Sequence, residues 1–169
     1  MNADPEVRKT LGPLQTRAEA DAAMDRFEAE WERCGYGLFA LERRDTEEFI
    51  GFTGLHGADF PVPFLDEVEI EWPAVEIGWR LARSAWGNGF ATEAAQRSLA
   101  FGFNERELNE IVSFTAVTNG ASRRVMERIG LEHDPRCDFD HPNVPAESPL
   151  LAHVLYRLNR SEWISAPRH

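Results

Sequence analysis

Val75-Glu76-Ile77-Gly78-Trp79-Arg80-Leu81, followed by Trp86-Gly87-Asn88-Gly89-Phe90-Ala91-Thr92-Glu93-Ala94, is the stretch from which the rest of the chain is read. The first segment has strand character, with Val75 and Ile77 on one face and Glu76 on the other. Two glycines then stand two residues apart. Ala91, Ala94, Ala95, Leu99 and Phe103 follow near helical spacing, with Glu93, Gln96 and Arg97 between them. The order is strand, glycine-rich turn, helix. Glycine lets backbone approach a ligand closely, and the first turn of a helix has unpaired N–H groups and partial positive charge. Such a turn can cradle the oxygens of a pyrophosphate. It is not a Walker loop, which needs Gly-x-x-x-x-Gly-Lys-Ser/Thr. Nor is it a dinucleotide fingerprint, because position 92 is threonine.

Outward from this unit the chain alternates in type. Thr16 and Glu19 form a capping-box pattern, and Ala20, Ala23, Met24, Phe27 and Trp31 continue at helical spacing up to Gly35. Tyr36–Arg43 and Glu48–His56 read as strands joined by Arg44-Asp45-Thr46-Glu47. Residues 57–74 carry three prolines and much acid and read as a long loop. Strands are expected at 75–82 and 111–117, with the turn and its helix between them, a βαβ unit that favours parallel neighbours. Asn119–Ile129 reads as a short helix ended by Gly130. Residues 131–149 form a Pro-rich loop with one short strand, and Leu150–Leu158 a strand at the C-terminal edge. No repeat or linker divides the chain. The expectation is one α/β domain over 1–169, a three-layer α/β/α sandwich.

A chain of 169 residues with 43% hydrophobic content has room for a real core. No apolar run approaches the roughly 20 residues of a membrane span, and the N-terminal residues have no apolar signal core. No membrane partner is expected, and the cytoplasm is the default location. The net charge of −11 argues against a general nucleic-acid binder. It mildly favours a cationic acceptor and otherwise serves solubility. Cys34 and Cys137 form no metal-ligand pattern, so no metal is expected. Arg80, Arg83, Arg123, Arg124 and Arg128 either meet ligand phosphates or form solvated surfaces.

The run Trp86-Gly87-Asn88-Gly89-Phe90-Ala91 resembles the acyl-CoA loop of the GCN5-related N-acetyltransferases (GNAT), usually Gln/Arg-x-x-Gly-x-Gly/Ala. Tryptophan at the first position, continuing to Ala-Thr-Glu-Ala, is similar to the ribosomal-protein N-acetyltransferase (RimJ/RimL-like) branch. Asn2-Ala3-Asp4-Pro5-Glu6-Val7, Val75–Trp79, Asn119-Gly120-Ala121-Ser122, Arg128-Ile129-Gly130-Leu131 and His153–Leu158 are similar to it too. The resemblance implies a mixed, mostly antiparallel twisted sheet with a βαβ acyl-CoA-binding unit. It implies acetyl-CoA as co-substrate, with Trp86, Gly87, Asn88, Gly89, Phe90, Ala91, Thr92, Asn119 and Ser122 in its site. Relatives of this branch usually have another strand before the Asn-Ala-Asp-Pro segment. The expectation is a sheet lacking that first strand, whose bared neighbour invites pairing into a homodimer.

Acyl transfer to an amine needs a proton acceptor, because an aliphatic ammonium titrates near pH 10. It also needs a donor for the leaving thiolate. Glu76 is the first candidate for the base. Either it lies solvated on the strand face, or partial burial raises its pKa. His56, at a strand end, is the second candidate. Glu69 and Glu71 belong to the acidic loop. Asn119 is a natural N-cap, and the resemblance gives it a hydrogen bond to pantetheine or acceptor. Ser122, one turn on, is placed to assist the sulfur. Tyr36 and Tyr156 do not match the position where other relatives carry an acid. The expected acceptor is a small amine or a peptide N-terminus. The alternatives are a module that binds acyl-CoA without turnover and a protein that keeps only the fold.

Overall fold

Thr16 and Glu19 fix the start of the principal N-terminal helix. The Thr16 hydroxyl accepts from the Glu19 N–H at 3.2 Å, and the Glu19 carboxylate accepts from the Thr16 N–H at 2.7 Å. In this computed structural model, residues 1–58, 60–64 and 68–165 are described. Parts of the expected 57–74 loop, at 59 and 65–67, lie outside them, as do 166–169. One helical turn, α1 (Pro5–Arg8), is capped by Asp4 and precedes α2 (Arg17–Cys34), which ends at Gly35.

The strands are β1 (Leu38–Glu42), β2 (Phe49–Ala58), β3 (Ala74–Leu81), β4 (Glu110–Ala116), β5 (Glu132–His133), β6 (Phe139–Asp140) and β7 (Ala152–Asn159). Helix α3 (Phe90–Ala100) runs on into a π-helical turn at Phe101–Glu105. Helix α4 (Gly120–Arg128) follows β4, and α5 (Arg160–Ser165) follows β7. The sheet order is β1-β2-β3-β4-β7-β5, with β6 also on β7. Only β3 and β4 run parallel, so the sheet is mixed and mostly antiparallel as expected. Two readings change. Strand β7 is not an edge strand, because β5 and β6 cover its outer side. And α5 continues the chain where no element was expected.

The main core lies between the sheet and α3 and α4. Leu55, Ile77 and Ile111 of the sheet meet Ala95, Leu99, Phe103 and Met126, all essentially without exposure. Burying each such side chain contributes about 1.5–3 kcal/mol. On the opposite face, Phe27 of α2 packs on Phe52 of β2 at 5.6 Å between ring centroids. The other half of that face is covered by loops, through Phe64, Val68, Cys137 and Phe139 against Val112 and Leu155. The third layer is therefore half helix and half loop. The gap between those halves exposes the faces of β2 and β3.

Candidate active site

Strands β3 and β4 share one rung, Glu76 opposite Val112. Beyond it, side chains replace the backbone ladder. The Ser113 hydroxyl donates to the Ile77 carbonyl at 2.9 Å, and the Phe114 N–H favours the charged form of the Glu76 carboxylate. The strands part at their carboxyl ends, where ligands enter open α/β sheets. A cleft of about 530 Å³ opens toward the glycine turn and one of about 450 Å³ on the Glu76 face. Thr10, Leu11, Trp79, Arg80 and Ser122 line both, so the two meet there.

The first cleft holds the expected turn. Gly87 and Gly89 have φ of +76° and +82°, a conformation that L side chains rarely adopt. A Cβ built on either meets nothing within 4 Å, so the space in front of the turn is open to a ligand. Gly89 is the N-cap of α3, and no side chain caps the helix. Its first N–H groups, at Phe90, Ala91 and Thr92, therefore lack intrahelical acceptors. Trp86 and Asn88, both exposed, brace the turn through hydrogen bonds to its backbone. The indole N–H of Trp86 donates to the Leu81 carbonyl at 3.1 Å, and the Asn88 amide donates to the Trp86 carbonyl at 2.9 Å. These bonds set the backbone of the turn, and the Trp86 ring also lines the cleft. Arg124 and Arg128 of α4 line this cleft. Arg83 is exposed outside it, and Arg123 turns away to Tyr156. An open turn of unpaired N–H groups with two arginines opposite fits the pyrophosphate arm of an acyl-CoA.

The second cleft brings the two base candidates together. His56 and Glu76 are direct cross-strand partners, and His56 Nε2 lies 3.2 Å from Glu76 Oε2. Glu76 is 8% exposed. Burial raises its pKa to about 7, opposed by His56, with the Glu30 carboxylate adding to the rise. The His56 ring lies over Gly78, where a Cβ would come within 3.3 Å of Nε2.

Asn119 and Ser122 stand at the junction. Asn119 caps α4: its Oδ1 accepts from the Ser122 N–H at 3.2 Å. Its Nδ2 donates to Thr115 Oγ1 at 2.9 Å and to Ser122 Oγ at 3.1 Å. These bonds occupy the Asn119 side chain and hold Ser122 in place. Because Ser122 Oγ accepts from Asn119, its own proton is left for an acceptor in the cleft.

Sequence reading did not place three polar residues in the second cleft: Arg80, which lines both clefts, His141 and His153. The two imidazoles lie 4.8 Å apart between centroids, and burial lowers both pKa values. His141 belongs to a Pro-rich loop without periodicity, so nothing local announces it. Glu71 lines a separate hollow of about 150 Å³ at the opposite ends of β3 and β4. Glu69 is exposed and gives its carbonyl to Arg157. Cys137 is buried and its thiol is pushed up to about 11, which keeps it protonated. Among the described residues no helix is long and apolar enough to cross a membrane, and no group of three or more metal-ligating side chains is found.

Comparison with known proteins agrees with this geometry. Residues 1–132 match the family model described as an acetyltransferase (GNAT) domain. The chain is 32% identical over 130 residues to the uncharacterized protein YkkB of Bacillus subtilis (strain 168), covering 77% of this chain and 70% of YkkB. It is 31% identical over 118 residues to the FsC-acetyl coenzyme A-N(2)-transacetylase of Aspergillus fumigatus, covering 69% of this chain and 48% of that protein. Against that and further curated relatives the chain spans about half their length. Among solved structures, the acetyltransferase from Agrobacterium tumefaciens str. C58 superposes with a TM-score of 0.69 at 26% identity, over 93% of this chain and 80% of that one.

Proposed function

The chain belongs to the GNAT acetyltransferase family, and from that membership we propose that it transfers acetyl from acetyl-CoA to a primary amine, within the RimJ/RimL-like branch. The observation that carries this reading is the meeting of two clefts at Ser122. One is lined by unpaired N–H groups, the other by a carboxyl–imidazole pair. The name of the Aspergillus relative, an acetyl coenzyme A transacetylase, supports the choice of co-substrate.

Acetyl-CoA supplies the acetyl group as a thioester and departs as the thiol. The chain's residues do the rest. The turn at 87–92 and Arg124 and Arg128 hold the phosphate arm. The amine enters from the Glu76 side and must lose its proton before its lone pair is free. The His56–Glu76 pair takes that proton, because a carboxyl with a pKa of about 7 is ionised for part of the time at neutral pH and is basic enough to accept it. Ser122, held by Asn119, donates toward the sulfur. No covalent intermediate on the protein is needed.

The test is thiol release across a panel of small amines and peptide N-termini, beside titration with acetyl-CoA. Release with a cognate amine supports transfer. Tight binding without release from any amine identifies a non-catalytic acyl-CoA module. We further propose action in the cytoplasm and a homodimer through β1, whose only strand partner among the described residues is β2. Light scattering after size exclusion checks the dimer.

A further inference from the structure

Arg80 is a partly buried guanidinium with no carboxylate to meet, and beside it the buried Arg8 has only the exposed Glu19, with which it forms no ion pair. Arg80 alternates with Glu76 and Gly78 on the acceptor face of β3. Its Nη1 donates to the neutral Asn2 Oδ1 at 3.1 Å, and its Nε is buried without a hydrogen-bond partner. The Phe52 ring lies 5.2 Å from its guanidinium carbon. Arg8 is 6% exposed and gives its Nε to the Pro13 carbonyl at 2.8 Å. Neither makes an ion pair among the described residues. Burial and the neighbouring Arg8 together lower the Arg80 pKa to about 10.

Elsewhere this chain does pair its buried arginine. Arg157 donates to Glu110 at 2.6 Å and lies 3.4 Å from Asp134. A buried charge without a partner is costly, and a second like charge beside it adds to the cost. An arrangement of this kind is explained when an anion completes it. The planar fork of arginine matches the two oxygens of a carboxylate. The net charge of −11 does not oppose this at contact distance, since solvent and salt screen the distant acids.

We propose that Arg80, with Arg8 behind it, binds an anionic group on the acceptor, so that the substrate class is amines that carry a carboxylate. This rests on the acetyl-transfer reading for the amine and on Arg80 alone for the anion. Four residues of strand separate the Cα atoms of Glu76 and Arg80 by about 13 Å. The spacing between amine and carboxylate is therefore itself a variable to scan.

The test uses the full chain saturated with CoA. The probes are glycine, β-alanine, 4-aminobutyrate and 6-aminohexanoate, each against its carboxamide, titrated into wild type and Arg80→Met. At least one acid should bind wild type about tenfold or more tighter than its amide, the size of a charged hydrogen bond. Arg80→Met should erase that preference while leaving acetyl-CoA affinity in place and without lowering the melting temperature, since the change removes an unpaired charge at similar length. Acids and amides that bind wild type alike would overturn the proposal, as would a preference that survives in Arg80→Met. A variant that loses acetyl-CoA affinity instead assigns the anion to CoA phosphate and also overturns it. An acid preference without thiol release leaves the anion site standing and removes the acetyl-transfer reading.

Discussion

His56 and Glu76 meet across β2 and β3 at 3.2 Å, at the rung beyond which β3 and β4 separate. Strand register makes them partners, and the bare Cα of Gly78 leaves room for the ring. Burial disfavours charge on Glu76, while His56 and the Phe114 N–H favour it.

Glu76→Gln keeps the shape and removes the basicity. Turnover with a cognate amine at neutral pH should fall by about 10²–10⁴-fold. In wild type, kcat/KM should fall as pH drops through about 7, where the carboxylate is lost. His56→Gln should move that limb upward, because His56 holds the Glu76 pKa down. Steady-state pH profiles check both. A glutamine variant as fast as wild type would reject the assignment.

The same carboxyl sets a pH dependence of stability. Its pKa is raised from 4.5 to about 7 on folding, so its contribution is fully present below 4.5 and lost as pH rises through about 7. Glu76→Gln should therefore match wild type near pH 4 and exceed it at pH 8.5, by up to about 3 kcal/mol. Urea unfolding at the two pH values reads the difference. A gap that does not change with pH would show that folding does not raise the Glu76 pKa.

Gly89→Val tests the phosphate turn. Its φ of +82° makes a β-branched residue strained, at about 1–2 kcal/mol. No protein atom lies within 4 Å of the added Cβ, so the fold should survive. The new side chain projects into the ligand space, and acetyl-CoA affinity should drop at least about tenfold. Calorimetric titration beside a melting curve separates the two effects. Retained affinity would move the CoA site elsewhere.

Ser122→Ala should cost less than Glu76→Gln, about tenfold in turnover, because a thiolate with a conjugate-acid pKa near 8.5 leaves readily. The deficit should shrink with acetyl donors whose leaving thiol is more acidic. An equal deficit for all donors would leave Ser122 a positioning role only.

Arg157 ties β7 to Glu110 of β4 and to Asp134. Arg157→Ala leaves Glu110 buried without its cation and should destabilise by roughly 3–5 kcal/mol, read by chemical denaturation. Asp134, held down to about 2 first by Arg136, gives stability that persists below the ordinary carboxylate range and is lost as pH falls to about 2. A small effect from Arg157→Ala would mean that water replaces the pair.

Local patterns announced much of this. The capping box, the glycine turn, α3 and the inward alternation of Val75 and Ile77 are each written within a few neighbouring residues. The two-residue β5 and β6 are too short to show any period, and without them β7 reads as an edge. The meeting of His56 with Glu76 depends on register between strands some twenty residues apart, which spacing alone does not fix. Arg80 was visible as a cation. That it lacks a carboxylate is a property of everything folded around it.

The single rung between β3 and β4 divides the sheet mechanically into two leaves, β1-β2-β3 and β4-β7 with its short companions. Among the described residues one backbone pair and the Ser113 hydroxyl's bond to the Ile77 carbonyl stitch the seam. A ligand lying in the gap would act as a clasp on both leaves. Amide protons flanking the seam, at Trp79 and Phe114 among others, should then exchange with solvent markedly more slowly in the ligand-bound protein, while those deep in α3 hardly change.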